Sequence, residues 1–298
     1  MLFSFAAASA YVPCGASGWL LTTCHVKGDI MSKSKAVATQ SKQTALAAQS
    51  DKYSSLAGAG MESVTAADVL IPRLAIVQQL SPQFNKKKPE YIPGVEVGSI
   101  VDVSTGEFWN DGVWFLPVLY RKEYIEWAPR DSGKGLVRIH DDPSIMNKYP
   151  RNDKNQPVTP EGNYIAETAQ FFGLNLSGPV RRRCFVPMAS SQLKKARKWM
   201  SLATSERLKR EDGTEFAAPL LYRTYMLSTA EESNAQNEWA GWKIERSITL
   251  DEAEQKLGLP EGTLFGEAED FLSTLRAGEV KADMAHDDQG STLDEEAM

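Results

Sequence analysis

Cations alternating with aromatic rings on a strand can stack bases and neutralise phosphates, and two stretches of this sequence offer that chemistry. The first is the run Tyr120-Arg-Lys-Glu-Tyr-Ile-Glu-Trp127, with Tyr120, Lys122 and Tyr124 on one strand face and Arg121, Glu123, Ile125 and Trp127 on the other. The second is the segment from Arg181 to Arg210, which holds ten Lys/Arg and one acid, a local charge of +9 in a chain whose net charge is −6. Within it, Arg181, Arg182 and Arg183 are consecutive, and Lys194, Lys195, Arg197 and Lys198 follow shortly after. The rest of the chain then carries −15, so the acidic average says little about the surface that would meet a polyanion. Between the two stretches, Arg130-Asp-Ser-Gly-Lys-Gly135 is a basic loop supplying Arg130 and Lys134. It is not a phosphate loop: that motif needs Gly six residues before its lysine and Ser or Thr after it, and positions 128 and 135 are Ala and Gly.

Catalytic chemistry finds less support. His25, His140 and His286 are far apart, and no zinc-spaced Cys/His cluster, metalloprotease helix, nucleophile elbow or dinucleotide fingerprint occurs. No cofactor is expected. Three cysteines without a C-x-x-C pair make no disulfide framework and fit a reducing compartment.

The elements that must position these residues are mostly strands. Val113 to Tyr120 is apolar on both alternating sets, the pattern of a strand covered on both sides. Strands are also expected over Val69–Val77, where Pro72 marks an edge or bulge, and over Gly98–Val103, Tyr164–Leu176, Pro179–Met188, Pro219–Ser228 and Glu238–Arg246. Ser81 to Pro89 is a loop whose three lysines are taken as solvated, and Asp141 to Gly162 is a polar excursion. Three arginines in a row on a strand are costly to bury, so at least one face must meet water or an anion. A helix over Ser190–Ala203, capped by Ser190 or Ser191, puts Leu193, Ala196, Trp199, Met200 and Ala203 on one side. Its other side carries Lys194, Lys195, Arg197 and Lys198 with no acid among them. The competing readings are that the rings cap a core and the cations are ordinary solvated charge. The helix's apolar side is too small for stable membrane insertion. Short helices follow over Leu250–Leu257 and Leu264–Ala277.

The ends differ from this body. Residues 1–67 are expected to be a disordered arm, with no charged side chain from Met1 to Val26. Lys27-Gly-Asp-Ile-Met31 corresponds to codons containing a purine-rich bacterial ribosome-binding site before a start codon, so translation is expected to begin natively at Met31. A signal peptide and a genuine arm are the other readings of residues 1–30. Residues 279–298 are expected to be a disordered acidic tail, with six acids and no Lys or Arg from Asp283 to Met298. Residues 68–278 are left as a single domain.

Short strands, one inserted basic helix, strand aromatics and an acidic tail fit a mainly β fold, an elaborated OB-like β-barrel with a few short helices. The chain resembles the single-stranded DNA-binding proteins encoded by tailed phages. The resemblance rests on Ile71-Pro-Arg-Leu74 with Gln79-Leu-Ser-Pro82, on Phe115-Leu-Pro-Val118 through Glu126-Trp-Ala-Pro129, and on Ser191-Gln-Leu-Lys-Lys-Ala-Arg-Lys-Trp199. It spans roughly Val69 to Arg246. It implies sequence-independent binding of single-stranded DNA during phage replication or recombination, in the cytoplasm of an infected bacterium and with no membrane partner. It also implies contact with replisome or recombination proteins through Asp283–Met298. Tails of that family often end in an aromatic residue, whereas this one ends Glu295-Glu-Ala-Met298. The expected groove has Tyr120, Lys122, Tyr124 and Trp127 as its floor and Arg181, Arg182, Arg183 and the helix cations as its wall. A phage structural or scaffolding protein, or an enzyme's accessory subunit, using the basic face on a protein partner is the alternative.

Overall fold

The structure, a computed structural model, describes residues 56, 59–63, 70–129, 132–235 and 237–278. The expected arm, the acidic tail and Arg130 therefore lie wholly or almost wholly outside the described residues. The chain divides into two compact units, 1–62 and 63–298. What is described of the first is a turn in which Ala59 N donates to Leu56 O. The second is mainly β with three short helices. A small antiparallel sheet joins β1 (Leu74–Ile76), β2 (Ile100–Asp102) and β3 (Phe108–Trp109) in that order. The large sheet runs β11-β10-β4-β6-β7, from Glu238–Thr249 and Arg223–Ser233 through Val113–Trp127 to Tyr164–Asn175 and Arg182–Ala189. A short strand β5 (Leu136–His140) also pairs with the far half of β4, and β8 (Arg207–Lys209) and β9 (Glu215–Ala217) form a separate hairpin. The helices are α1 (Leu193–Thr204), α2 (Leu250–Leu257) and α3 (Thr263–Ala277).

β4 is the hub, and a bulge decides which way its side chains point. Pro117 has no N–H to give the ladder, and the register with β6 slips between Pro117 and Leu119. Before the slip, Trp114, Leu116 and Val118 face one apolar cluster, and after it Leu119, Ile125 and Trp127 face that same cluster. Val113 and Phe115 face the second cluster, and so does Tyr120. Simple alternation puts Tyr120 with Trp114; the extra residue moves it to the other side. Gly173 lies opposite Pro117 because a Cβ there would overlap the Leu116 carbonyl and the Phe115 ring.

The first cluster is roofed by α2 and α3 and contains Ala253, Leu264, Ala268, Phe271 and Leu275. Thr249 and Glu252 form a capping box at the start of α2. The buried Glu254 carboxylate accepts from Gly262, Leu264 and Phe265 N–H groups, so a fixed negative charge sits at the positive end of α3. The second cluster is plugged by α1: the Trp199 ring stacks on Phe171 at 3.9 Å and meets Phe115 and Tyr225 edge-on at 5.9 and 5.3 Å.

The expected barrel does not close through strand pairing among the described residues. Instead β1 and α1 each contact both outer strands, β7 and β11. Phe185 N donates to Pro72 O at 3.0 Å. On the other side the Gln78 amide accepts from Ala240 N (3.0 Å) and donates to Ala240 O (2.7 Å), and Gln192 Oε1 accepts from Trp242 N (3.0 Å). Two glutamines thus satisfy backbone groups that an edge strand would leave open. The helix begins later than expected, at Leu193, after a 3-10 turn over Ser190–Gln192, and neither serine caps it.

Candidate functional site

α1 is held down by its buried Ala196, Trp199 and Ala203. Its basic tetrad splits in two. Lys195 is half-buried and pairs with Glu232, which also accepts from the Trp239 indole N–H at 2.9 Å. Gly241 leaves room for that pair, since a Cβ there would strike both partners. Lys194, Arg197 and Lys198 are exposed and have no ion-pair partner among the described residues. Arg246 reaches the far end of the helix, donating to Leu202 O at 2.5 Å and to Ser205 Oγ.

Beside α1, β4 presents Tyr120, half-buried with its ring 5.0 Å from Phe171. Burial pushes the Tyr120 phenol above its usual pKa; Lys122 opposes this, Glu167 and Tyr124 add to it, and Arg197 opposes it. β4 and α1 meet through rings, since Trp199 of α1 touches Phe115 edge-on and stacks on Phe171, the neighbour of Tyr120. Lys122 is exposed and pairs with Glu167 at 2.6 Å, a hydrogen bond that raises its own pKa. Tyr124 is buried, opposite His140 on β5. The neighbouring Glu126 carboxyl is penalised by burial but held below its ordinary value by hydrogen bonds from Asn163 (2.7 Å) and His140 (2.8 Å). On the opposite face, burial raises the pKa of Glu123, which accepts from Gln170 Nε2 at 2.7 Å.

Two parts of the expected groove lie elsewhere. Trp127 is 6% exposed and packs in the cluster beneath α2 and α3, across the sheet from Tyr120. Both residues follow the bulge, and an odd separation of seven along the strand puts ring and tyrosine on opposite faces. Arg181 and Arg183 also point to the α3 side. Arg181 grips Glu267 with two hydrogen bonds of 2.9 and 2.5 Å, while Arg183 pairs with Asp270 and lies over the Phe271 ring at 5.2 Å. Arg182 faces the other way, 3.8 Å from Glu107. Each arginine of the triplet meets a carboxylate, and Glu267 and Asp270, three apart on one helix, are a spacing the sequence displays. Lys134 is exposed in the loop before β5.

The structure adds cations outside the expected set. In the β8–β9 hairpin Arg210 lies 4.7 Å over the Phe216 ring, Lys209 is 3.6 Å from Glu215, and Arg207 is exposed. Among the described residues no group of three or more His, Cys, Asp and Glu side chains could hold a metal ion. None of the described helices is long and apolar enough to cross a membrane. No curated protein and no solved structure matches the chain. A family model does, over residues 40–281, which include every described strand and helix. By that match the chain is a bacteriophage protein and belongs to the family of Pam3 phage gp34-like proteins.

Proposed function

We propose that this phage protein binds single-stranded DNA without sequence preference during replication or recombination, as a coating protein rather than a catalyst. The observation that carries this reading is the meeting of α1 and β4 at Phe171, which lies 5.0 Å from the Tyr120 ring and carries the stacked Trp199 ring of α1, with Lys194, Arg197 and Lys198 exposed on that helix and without an ion-pair partner among the described residues. Phosphates would lie along α1 and a base would reach the Tyr120 ring. Stacking contributes about 1–3 kcal/mol per base and tolerates any sequence. Unpaired like charge on one helix face is unfavourable alone and is relieved by a polyanion. The acids from Asp283 to Met298 would supply contact with replication or recombination proteins and compete for the same cations when no strand is bound. In this reading the fold is an open relative of the OB barrel, with β1 and α1 standing in the gap.

The edge strand β5 favours a second reading, docking to a protein partner, because Leu136, Val137 and Ile139 are exposed there. A salt-titrated binding assay of the full chain on single-stranded DNA, duplex DNA and RNA separates the two. Single-stranded DNA should bind at least tenfold more tightly than duplex, with affinity falling steeply with salt. Absence of binding to all three at low salt rules out the first reading and leaves the second.

A further inference from the structure

The turn from Ser81 to Tyr91 lies outside the site described above, and its surface has the same chemistry. Successive turns fold it: Phe84 N donates to Ser81 O (3.0 Å), Lys88 N to Asn85 O (2.9 Å) and Tyr91 N to Lys88 O (3.2 Å). Asn85 Oδ1 accepts from Lys87 N at 3.0 Å. Phe84 is 37% exposed, and Lys86, Lys87 and Lys88 are exposed with no partner among the described residues. Glu90 is the one acid between Ser81 and Ile92. The lysines, taken from sequence as merely solvated, follow in sequence a ring that the fold leaves partly exposed.

β11 fixes where this turn lies. Gln78, which accepts from Ser81 N through its carbonyl, holds Ala240; Gln192, just before α1, holds Trp242; Leu202 and Ser205, at the end of α1, are held by Arg246. The three anchor points follow one another along a single strand. From Ala240 to Arg246 they span six residues, roughly 20 Å. The start of the Ser81–Tyr91 turn is therefore tied to β11 before the N-terminal end of α1, and the hairpin with Arg207, Lys209 and Arg210 follows the C-terminal end of that helix. The anchors of three cation-bearing segments thus follow one another along β11.

We propose that the Ser81–Tyr91 turn is a second contact for the same polynucleotide, Phe84 stacking on a base and Lys86–Lys88 meeting phosphates, so that a bound strand runs along β11. This rests on the single-stranded DNA reading of α1. The site is then longer than α1 alone, within the roughly 4–16 nucleotides that single-strand folds cover.

The test uses the full chain with oligo(dT) of about 5 and about 20 nucleotides, comparing wild type with Lys86→Glu, Lys87→Glu, Lys88→Glu combined, the same three changed to Gln, and Phe84→Ala. The triple charge reversal should weaken the long oligonucleotide by tenfold or more and reduce the salt slope by about 2, three phosphates at about 0.7 each. It should leave the short one unchanged. The Gln variant, milder for folding, should lose slope by the same amount. Phe84→Ala should weaken the long oligonucleotide by about fivefold with its slope intact. Unchanged slope in the folded Gln variant, or equal loss on short and long oligonucleotides, overturns the extended path. In either case a reversal of Lys194, Arg197 and Lys198 that still abolishes binding leaves the α1 reading standing. No binding by wild type defeats both.

Discussion

The arginines of β7 and the cations of α1 belong to consecutive elements and make up most of the same +9 segment, yet their surroundings are opposite. Arg181 and Arg183 are met by Glu267 and Asp270 of α3, and Arg182 by Glu107. On α1, Lys195 alone finds a carboxylate among the described residues, while Lys194, Arg197 and Lys198 are exposed. One run of positive charge is thus spent holding a helix to the sheet, and the next is left available to an external anion. A charge run in sequence specifies neither fate; the elements packed against it do.

Two tryptophans sharpen that contrast with the largest effects. Trp127→Ala and Trp199→Ala should each destabilise by about 3–5 kcal/mol, since both rings are buried in apolar clusters. Their consequences for binding should part. Folded Trp127→Ala protein should keep its affinity for single-stranded DNA, because the ring lies beneath α2 and α3. Trp199→Ala releases the anchor of α1 and should weaken binding even in the folded population. Chemical denaturation gives the first quantity and titration under folding conditions the second. Loss of affinity in folded Trp127→Ala would return that ring to the binding face.

The next effect is on charge. Lys194→Glu, Arg197→Glu and Lys198→Glu together should cut affinity by well over tenfold and reduce the salt slope by about 2. The melting temperature should hold, since none of the three makes an ion pair among the described residues. A folded variant with an unaltered slope would mean that α1 is ordinary solvated surface.

Much of the frame was legible in advance. The run Val113–Tyr120 shows a doubly covered strand, and Ala196, Trp199 and Ala203 show the buried side of α1, because both signals are local periodicities. The face occupied by Tyr120 was not legible, because a bulge at a proline inverts the alternation from which faces are counted. The pairing of Arg181 and Arg183 was hidden for a different reason: their partners are more than eighty residues away, on a helix whose acids look solvated by themselves. β5 and the β8–β9 hairpin escaped notice because each is short and owes its existence to a partner strand rather than to its own pattern. The lysines of the Ser81–Tyr91 turn looked neutral until Gln78 tied that turn to the strand that also carries α1.

The smallest effect concerns the arginines already spent on structure. Arg181→Ala with Arg183→Ala should lower stability by about 1 kcal/mol or less, the range of partly exposed pairs, and leave single-stranded DNA affinity within about twofold. Arg181 holds the Glu267 carboxyl below its ordinary value. A carboxylate whose pKa is depressed by folding contributes stability that is full above its unfolded value, about 4.3, and lost as pH falls through the lowered one. Melting temperature should therefore fall with acid below about pH 4.3, and the fall should be shallower in the double variant. Other depressed carboxyls, such as Glu252 at the α2 cap, are common to both proteins, so the difference between the two curves isolates the pairing of Arg181 and Arg183 with the carboxylates of α3. Parallel acid curves would show that the pair adds nothing to the fold. A tenfold loss of DNA affinity in the same variant would place the β7 arginines on the binding surface and erase the contrast with α1.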